Sequence, residues 1–238
     1  SGMGETSTQD GMTPIRWLWW FAKFLGGLVV SVHVYALILF FAPVPGTLNM
    51  TGRFLQGTDI YYTWVPIEEM SPHLVRAVIA AEDTRFCGHS GVDLDAIKTA
   101  LDERQESGRV RGASTLTQQT AKNVFLWNGG GYVRKAGEAW MAVFIDGFWG
   151  KERVLETYLN VAEWGDGLYG AEAAAYGRFG KPARDLTKFE AARLAAVLPS
   201  PNKWRVTPAG PYVRKRTGTI LARMDVVARD GLDACVLD

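Results

Sequence analysis

The chain has 238 residues, of which 47% are hydrophobic and 21% are charged, and this composition excludes a wholly disordered protein. Its formal net charge of +1 creates no overall positive field that would attract nucleic acid, so any anion site must be built locally. Its two cysteines, Cys87 and Cys235, are too few for a disulfide scaffold and lack zinc-site spacing. We interpret both as free thiols, with a bridge in an oxidising compartment as the alternative.

One long apolar run lies near the N-terminus. Residues 1–14 are polar and predict a disordered tail, whereas the run from 24 to 42 contains no Asp, Glu, Lys or Arg. About 20 apolar residues span a bilayer, and the tryptophans and basic residues of segment 15–23 favour the cytoplasmic interface. We therefore predict a membrane anchor over residues 15–42 with a cytoplasmic N-terminus. A cleaved signal peptide is the alternative, but its apolar region would be shorter and would precede a small-residue cleavage site.

The segments after the anchor differ in their patterns. Residues 43–65 are punctuated by Pro and Gly and predict a linker, in which 61–65 form a short strand or an extended connector. Residues 66–238 carry apolar residues mainly at helical spacing, and no sustained alternation predicts a large sheet. The sequence therefore predicts a mostly α domain over residues 66–238.

Several helix boundaries are visible in the sequence. Ser71 before Pro72 predicts a helix start, because proline is favoured at the first helical position. Two pairs have the spacing of a capping box: Thr115 with Gln118, and Thr187 with Glu190. Further helices are predicted over 134–148, 151–160 and 212–229.

Glu82 is the first candidate catalytic residue. It follows Val78 by four positions and Ile79 by three, so on a helix it continues the buried apolar stripe. Burial raises the pKa of a carboxyl group toward the range of a useful general acid or base. The alternative is a structural glutamate that pairs with a buried arginine.

A polar helix face lies between residues 112 and 123. The side chains on this face are Thr115, Gln118, Gln119, Lys122 and Asn123. Amide groups offer both donors and acceptors to sugar hydroxyls, and Lys122 offers a point charge to a phosphate. The alternative is an ordinary solvated helix face.

A third group combines two cations with an acid. Arg134 and Lys135 precede Glu138 by four and three positions, so all three meet on one helix face. This group would hold a diphosphate through its cations, with Glu138 orienting them or a metal. The alternative is a surface ion pair of little energetic weight.

These motifs together resemble the peptidoglycan glycosyltransferase family, the transglycosylases of class A penicillin-binding proteins. The resemblance covers residues 64–216. The strings that carry it are EDTRFCGHSGVD (82–93), RGASTLTQQTAKN (111–123), RKAGE (134–138), KERVLETYLN (151–160) and AARLAAVLPSPNKW (191–204). Since no transpeptidase motif follows, we expect the monofunctional form of the family.

The resemblance implies both a fold and a reaction. The fold would be a lysozyme-like helical domain with a small membrane-proximal lobe behind a single transmembrane helix. The reaction would polymerise lipid II into β-1,4 glycan strands and release polyprenyl diphosphate, with inversion at the anomeric carbon. The enzyme would be held in the bacterial inner membrane, with its catalytic domain in the periplasm. The expected partners are lipid II, the growing strand, the bilayer and other cell-wall synthesis proteins, without nucleic acid.

The resemblance also assigns roles to residues. Glu82 would be the catalytic base and Glu138 the second essential glutamate. The predicted substrate-binding residues are Asp83, Ser114, Thr115, Gln118, Gln119, Lys122, Asn123, Arg134 and Lys135. Phe86 and His89 would shape the loop of the base, while Glu156, Tyr158 and Asn160 would brace the site. We predict no metal-ligating side chains and leave open a divalent cation, Mg²⁺ or Mn²⁺, at the diphosphate.

One feature departs from the family pattern. Members often carry an Arg-Ser pair shortly before the Arg-Lys string, whereas this chain has Gly129, Gly130 and Gly131 there. A cation that would touch the diphosphate is therefore replaced by glycine. Because of this departure, two alternatives to the polymerase function remain: a glycan-cleaving enzyme on the same fold and a non-catalytic membrane scaffold.

Overall fold

The computed structural model describes residues 14–107 and 112–237, where the predicted mostly α fold is confirmed. The helices of these ranges are α1 (Pro14–Phe41), α2 (Leu48–Leu55), α3 (Pro72–Glu82), α4 (Leu94–Ser107), α5 (Leu116–Phe125), α6 (Gly131–Val161), α7 (Ala171–Phe179), α8 (Lys188–Ala195) and α9 (Pro211–Arg229). The strands are β1 (Tyr61–Tyr62), β2 (Glu163–Gly165) and β3 (Leu168–Tyr169). Residues 1–13, most of the tail predicted to be disordered, lie outside the described residues.

Helix α1 coincides with the predicted anchor and belongs to a compact unit of its own, Ser1–Ala42. Its 28 residues are long and apolar enough to cross a membrane, and it is the one such helix in the described part of the chain. Large side chains such as Phe24 and Val30 are exposed along it, unlike those of an apolar helix in a soluble core. Length and composition therefore make α1 a candidate membrane span.

The second unit, Pro43–Asp238, carries the hydrophobic core. Helix α5 packs along α6, and α3 packs against both α8 and α9. Fully buried side chains at these contacts include Leu74, Leu116, Ile145, Leu194 and Met224. The core therefore fixes the end of α3, the start of α5 and the adjoining α6, the elements that carry most of the candidate residues.

The predicted helix starts are confirmed. Ser71 accepts a hydrogen bond from the backbone of the first turn of α3, and Thr115 with Gln118 forms a complete capping box at α5. Thr187 with Glu190 forms the second capping box, at α8. Side chains thereby satisfy N–H groups that a helix start leaves without partners.

The helices predicted over 134–148 and 151–160 are parts of α6 on either side of Gly150. This glycine has a φ of 75°, in the left-handed region that residues with a Cβ rarely adopt. Across this break, Lys151 pairs with Asp146 at 2.6 Å and donates a 2.6 Å hydrogen bond to the carbonyl of His89. Lys151, the first residue after the break, thus connects α6 to the loop that follows Glu82.

The segment 43–65 is part of the second unit and contains α2 and β1. Strand β1 pairs in parallel with β3, which pairs antiparallel with β2. The small sheet joins this segment to the loop that follows α6. A short strand at 61–65 is thus present over Tyr61–Tyr62.

The interpretation of the cysteines as free thiols is wrong. Cys87 and Cys235 form a disulfide, although 148 positions separate them. Arg76 on α3 pairs with Asp233 at 2.6 Å and fixes the turn after α9 against α3. This return of the chain, which depends on the packing of α9 on α3, brings the two sulfur atoms together.

Candidate active site

Glu82 is the last residue of α3, and its side chain is 13% exposed. Oε2 accepts a hydrogen bond of 3.2 Å from Nε2 of Gln119, and Oε1 lies 3.5 Å from Nη2 of Arg216. Burial raises the pKa of the Glu82 carboxyl; the bond from Gln119 and the charge of Arg216 oppose the rise, and Asp83 adds to it. The expected desolvation of Glu82 is therefore present, and an arginine pairs with it as well.

Gln119 connects Glu82 to a buried tyrosine. The hydroxyl of Tyr158 donates a 3.3 Å hydrogen bond to Oε1 of Gln119, which leaves the amide nitrogen to face Glu82. Burial, and secondly the negative charge of Glu82, raise the pKa of Tyr158, so its hydroxyl keeps its proton. This chain of bonds fixes which atoms of the amide meet the carboxylate.

Arg216 was not predicted as a site residue. On α9 it follows the buried Val213 by three positions and precedes the buried Ile220 by four. This is the spacing that places Glu82 at the edge of the apolar stripe of α3. The same argument, applied to α9, would have placed Arg216 at a partly buried position.

A cluster of cations surrounds Glu138, which is 2% exposed. Oε2 of Glu138 accepts a 2.7 Å bond from Arg134, and Oε1 pairs with Lys135. Lys135 also donates a 2.7 Å bond to the hydroxyl of Ser114. The acid therefore holds both cations in place, as the spacing on one helix face predicts.

Lys122 belongs to the same electrostatic cluster. Burial lowers the pKa of its ammonium; Glu138 opposes this effect, while Arg134 and Lys135 lower the pKa further. No group in residues 14–107 or 112–237 makes an ion pair with Lys122 within 4.0 Å. Its charge is available to an anion.

Two clefts meet at Gln119. The first, about 620 Å³, is lined by Glu82, Ser114, Gln119 and Arg216. The second, about 230 Å³, is lined by Gln119, Lys122, Asn123 and Tyr158. A ligand can therefore reach both the carboxylate of Glu82, on one side of Gln119, and the ammonium of Lys122, on the other side.

Three predicted substrate-binding residues have structural partners. Oδ2 of Asp83 accepts a 2.9 Å bond from the backbone of Leu116 and lies 3.0 Å from Nε2 of His89. Thr115 and Gln118 are buried in the capping box of α5, and the Thr115 hydroxyl donates to the carbonyl of Gly91 at 2.6 Å. These residues fix the start of α5 relative to the loop of Glu82.

The second half of α6 braces the segment before α3. Asn160 accepts a 2.9 Å bond from the backbone N–H of Val65 and donates a 2.8 Å bond to its carbonyl. Glu156 accepts a 3.0 Å bond from the backbone of Ile67. The bonds of Glu156 and Asn160 are consistent with their predicted bracing role, which stays a prediction, whereas Tyr158 contacts Gln119 directly.

Comparison with known proteins decides the family. The model of the family described as transglycosylase matches residues 49–225. The chain belongs to the transglycosylase family. It is 50% identical to a biosynthetic peptidoglycan transglycosylase of Rhodospirillum centenum, over 91% of this chain and 94% of the relative. It is 48% identical to one of Caulobacter vibrioides, over 91% and 93%, and 47% identical to one of Aeromonas hydrophila, over 84% and 86%.

This transglycosylase has a structural reason for its glycines before α6. Gly129, Gly130 and Gly131 have φ values of 90°, 88° and 58°. A Cβ at Gly130 would lie 2.9 Å from Cβ of Arg134 and 3.0 Å from Nε1 of Trp127. The observed backbone therefore excludes an arginine there without rearrangement.

A divalent cation at the diphosphate stays a prediction for this transglycosylase. Residues 14–107 and 112–237 contain no group of three or more His, Cys, Asp and Glu that could hold a metal ion. At the cation cluster, both oxygens of Glu138 are already paired with Arg134 and Lys135. No step of the reaction is therefore derived through Mg²⁺ or Mn²⁺.

Proposed function

We propose that this transglycosylase polymerises lipid II into β-1,4 glycan strands of peptidoglycan and releases polyprenyl diphosphate, with inversion at the anomeric carbon. The names of its relatives support the polymer and the class of reaction. The observation that carries the proposal is the position of Gln119, with a desolvated carboxylate on one side and a cation cluster on the other. A weak nucleophile and an anionic leaving group need this combination.

The base acts on the acceptor. In the proposed step, Glu82 takes the proton of the sugar 4-hydroxyl while the hydroxyl oxygen forms a bond to the anomeric carbon of the donor. Partial burial raises the pKa of Glu82, which makes it a stronger base than an exposed glutamate. The amide of Gln119 stabilises the ionised form that must be present before proton transfer.

The cations act on the leaving group. As the bond from the anomeric carbon to the diphosphate oxygen breaks, its electron pair stays with the diphosphate, which needs positive charge rather than a proton. Lys122, Arg134 and Lys135 supply that charge, and Glu138 orients two of them. Attack opposite an α-linked diphosphate produces the β linkage.

The same geometry disfavours glycan cleavage as the activity. A typical glycosidase uses two carboxyl groups that flank the scissile bond, one as acid and the other as nucleophile or base. Here Glu138 is buried and both of its oxygens are paired, one with Arg134 and the other with Lys135, so it is shielded from a sugar carbon. One carboxylate and several cations suit diphosphate displacement better than hydrolysis.

We also propose that the chain crosses the inner membrane once, with its catalytic domain in the periplasm. The apolar helix α1 and the basic residues Arg16 and Lys23 near its start support this orientation. The disulfide between Cys87 and Cys235 supports it independently, because disulfides persist in oxidising compartments. Association with other cell-wall synthesis proteins stays a prediction.

The proposed function is tested with the purified full chain in detergent and fluorescent lipid II. We expect a ladder of products that lengthens with time and disappears when a muramidase that cleaves β-1,4 links is added. A parallel reaction with EDTA tests the divalent cation. Absence of polymer under both conditions, with folded protein, would contradict the proposal; cut products from finished peptidoglycan would favour the glycan-cleaving alternative.

A further inference from the structure

The cleft beyond Gln119 has a wall that comes from outside the motifs of the resemblance. Helix α2 contributes Asn49, and the connection between α5 and α6 contributes Asn128. On the basis of the proposed function, we propose that Asn49 and Asn128 bind the acetamido group of the donor sugar whose anomeric carbon carries the diphosphate.

The two asparagines form one hydrogen-bonded bridge. Nδ2 of Asn128 donates a 3.0 Å bond to Oδ1 of Asn49, and Nδ2 of Asn49 donates a 2.9 Å bond to the hydroxyl of Tyr169. The bridge joins the connection before α6 to α2 and then to β3. The hydroxyl of Tyr169 donates to the carboxylate of Glu163, so it accepts from Asn49, and the amide nitrogen of Asn49 therefore faces Tyr169.

The bridge leaves hydrogen-bonding capacity that matches an acetamido group. Each side-chain amide carries two N–H donors and an oxygen with two lone pairs, and one N–H of each is used in the bridge. Within the described residues, Oδ1 of Asn128 accepts no hydrogen bond. An acetamido group presents one N–H and one carbonyl, which this oxygen and the second N–H of Asn49 complement.

The lining of the cleft carries both a cation, Lys122, and an anion, Glu163. The carboxylate of Glu163 bonds to the hydroxyl of Tyr169, the partner of Asn49, and we call the part of the cleft beside Asn49 the sugar end. A diphosphate is attracted to Lys122 and repelled from Glu163, so the group bound beside Asn49 is polar and uncharged.

The sugar end is built on an anchored element. Thr47 caps α2 by accepting a 3.2 Å bond from the backbone of Met50, and Arg53 pairs with Asp166 in the loop after β2. Neither contact uses Asn49. Removal of the Asn49 side chain should therefore leave α2 in place, and Asn128 lies in an exposed connection where truncation is better tolerated.

The test measures discrimination between two labelled donors. Both are lipid II analogues with a blocked 4-hydroxyl, so they act only as donors to unlabelled lipid II; one keeps its acetamido groups and the other has hydroxyl groups instead. We expect the parent to prefer the donor with acetamido groups, and we measure this preference as the ratio of kcat/KM for that donor to kcat/KM for the hydroxyl analogue. Asn49→Ala and Asn128→Ala should each reduce the ratio by about five- to tenfold, which corresponds to the loss of one hydrogen bond. Asn202→Ala, which removes an amide that bonds to Glu163 from outside the cleft lining, is the matched control and should keep the parental ratio.

The outcomes separate this inference from the proposed function. If the parent polymerises lipid II but the ratio is unchanged in both variants, the acetamido assignment is wrong and the polymerase stands. If the folded parent transfers neither donor and makes no polymer, both proposals fail. Melting temperatures within a few degrees of that of the parent show that the variants are folded. If Asn49→Ala does not fold, the ratio measured for Asn128→Ala alone tests the acetamido assignment.

Discussion

Gln119 donates a hydrogen bond of 3.2 Å from its Nε2 to Oε2 of Glu82, across 37 positions of sequence. The amide comes from α5 and the carboxylate from the end of α3, so packing between elements determines the environment of the base. The hydroxyl of Tyr158 occupies the amide oxygen at 3.3 Å and prevents the amide from presenting that oxygen to the carboxylate. The protonation state of the proposed base is thus controlled by a residue on another helix.

Removal of this amide should move the acid limb of the pH profile. The hydrogen bond from Gln119 lowers the pKa of Glu82 against the effect of burial, so Gln119→Met should raise that pKa further. A base must be deprotonated, and activity falls as pH drops through its pKa. We expect kcat/KM of Gln119→Met to decline at a higher pH than in the parent, measured as lipid II polymerisation from pH 5 to 9. An unchanged acid limb would show that Glu82 is not the titrating base.

Lys122 should set an alkaline limit. Burial lowers its pKa, so its charge, and with it diphosphate binding, should be lost at a lower pH than for an exposed lysine. Arginine stays protonated throughout the accessible range, so Lys122→Arg should remove this limb, whereas Lys122→Met should be poorly active at every pH. Lys215→Met, at an exposed position on α9, controls for a general loss of positive charge. If the Lys122→Arg variant loses activity at the same alkaline pH as the parent, the alkaline limb of the profile arises from another group.

An arginine introduced at position 130 should not improve the enzyme. Gly130 has a positive φ, and a Cβ there would clash with Cβ of Arg134. Gly130→Arg and the smaller Gly130→Ala should both lower stability by about 1–3 kcal/mol, the usual cost of a strained backbone, and should displace Arg134. Thermal unfolding and initial rates check this expectation. If the arginine variant polymerised faster at unchanged stability, Gly130 would have no structural role and would differ from arginine only by the missing cation.

The disulfide should contribute to stability and disappear under reduction. Cys87 lies two residues before His89, and Cys235 follows α9, which carries Arg216. Cys87→Ser combined with Cys235→Ser should lower the unfolding free energy by about 2–4 kcal/mol. Dithiothreitol should lower the melting temperature of the parent and leave that of the double variant unchanged. A parent that shows two reactive thiols after purification from bacterial membranes without reductant would contradict the pairing.

Local rules predicted the helix starts because each depends on residues a few positions apart. Ser71, the Thr115 and Thr187 boxes and the burial of Glu82 all follow from capping and helical spacing. Helix α4 was not predicted, although Leu94, Ile97 and Leu101 lie at helical spacing; none of its residues is buried in the core. Helix α2 was not predicted because it is only eight residues long. Contacts such as Cys87 with Cys235 depend on how α9 packs on α3. No local pattern contains that information.

The central claim, that Glu82 is the base, also has a stability consequence. Its folded-state pKa is raised above the unfolded value, so the folded state gains stability at low pH and loses it as pH rises through the raised pKa. Replacement by an uncharged isostere removes this loss. At neutral pH, Glu82→Gln should therefore unfold at a temperature no lower than the parent, apart from the loss of its weak pairing with Arg216.

The most direct test is the initial rate of lipid II polymerisation by Glu82→Gln, with the surface variant Glu152→Gln as control and melting temperatures recorded for both. The account predicts a loss of about a hundred- to ten-thousand-fold for Glu82→Gln, the range for removal of a general base, and a parental rate for Glu152→Gln. A folded Glu82→Gln enzyme that polymerises lipid II at the parental rate would contradict the account.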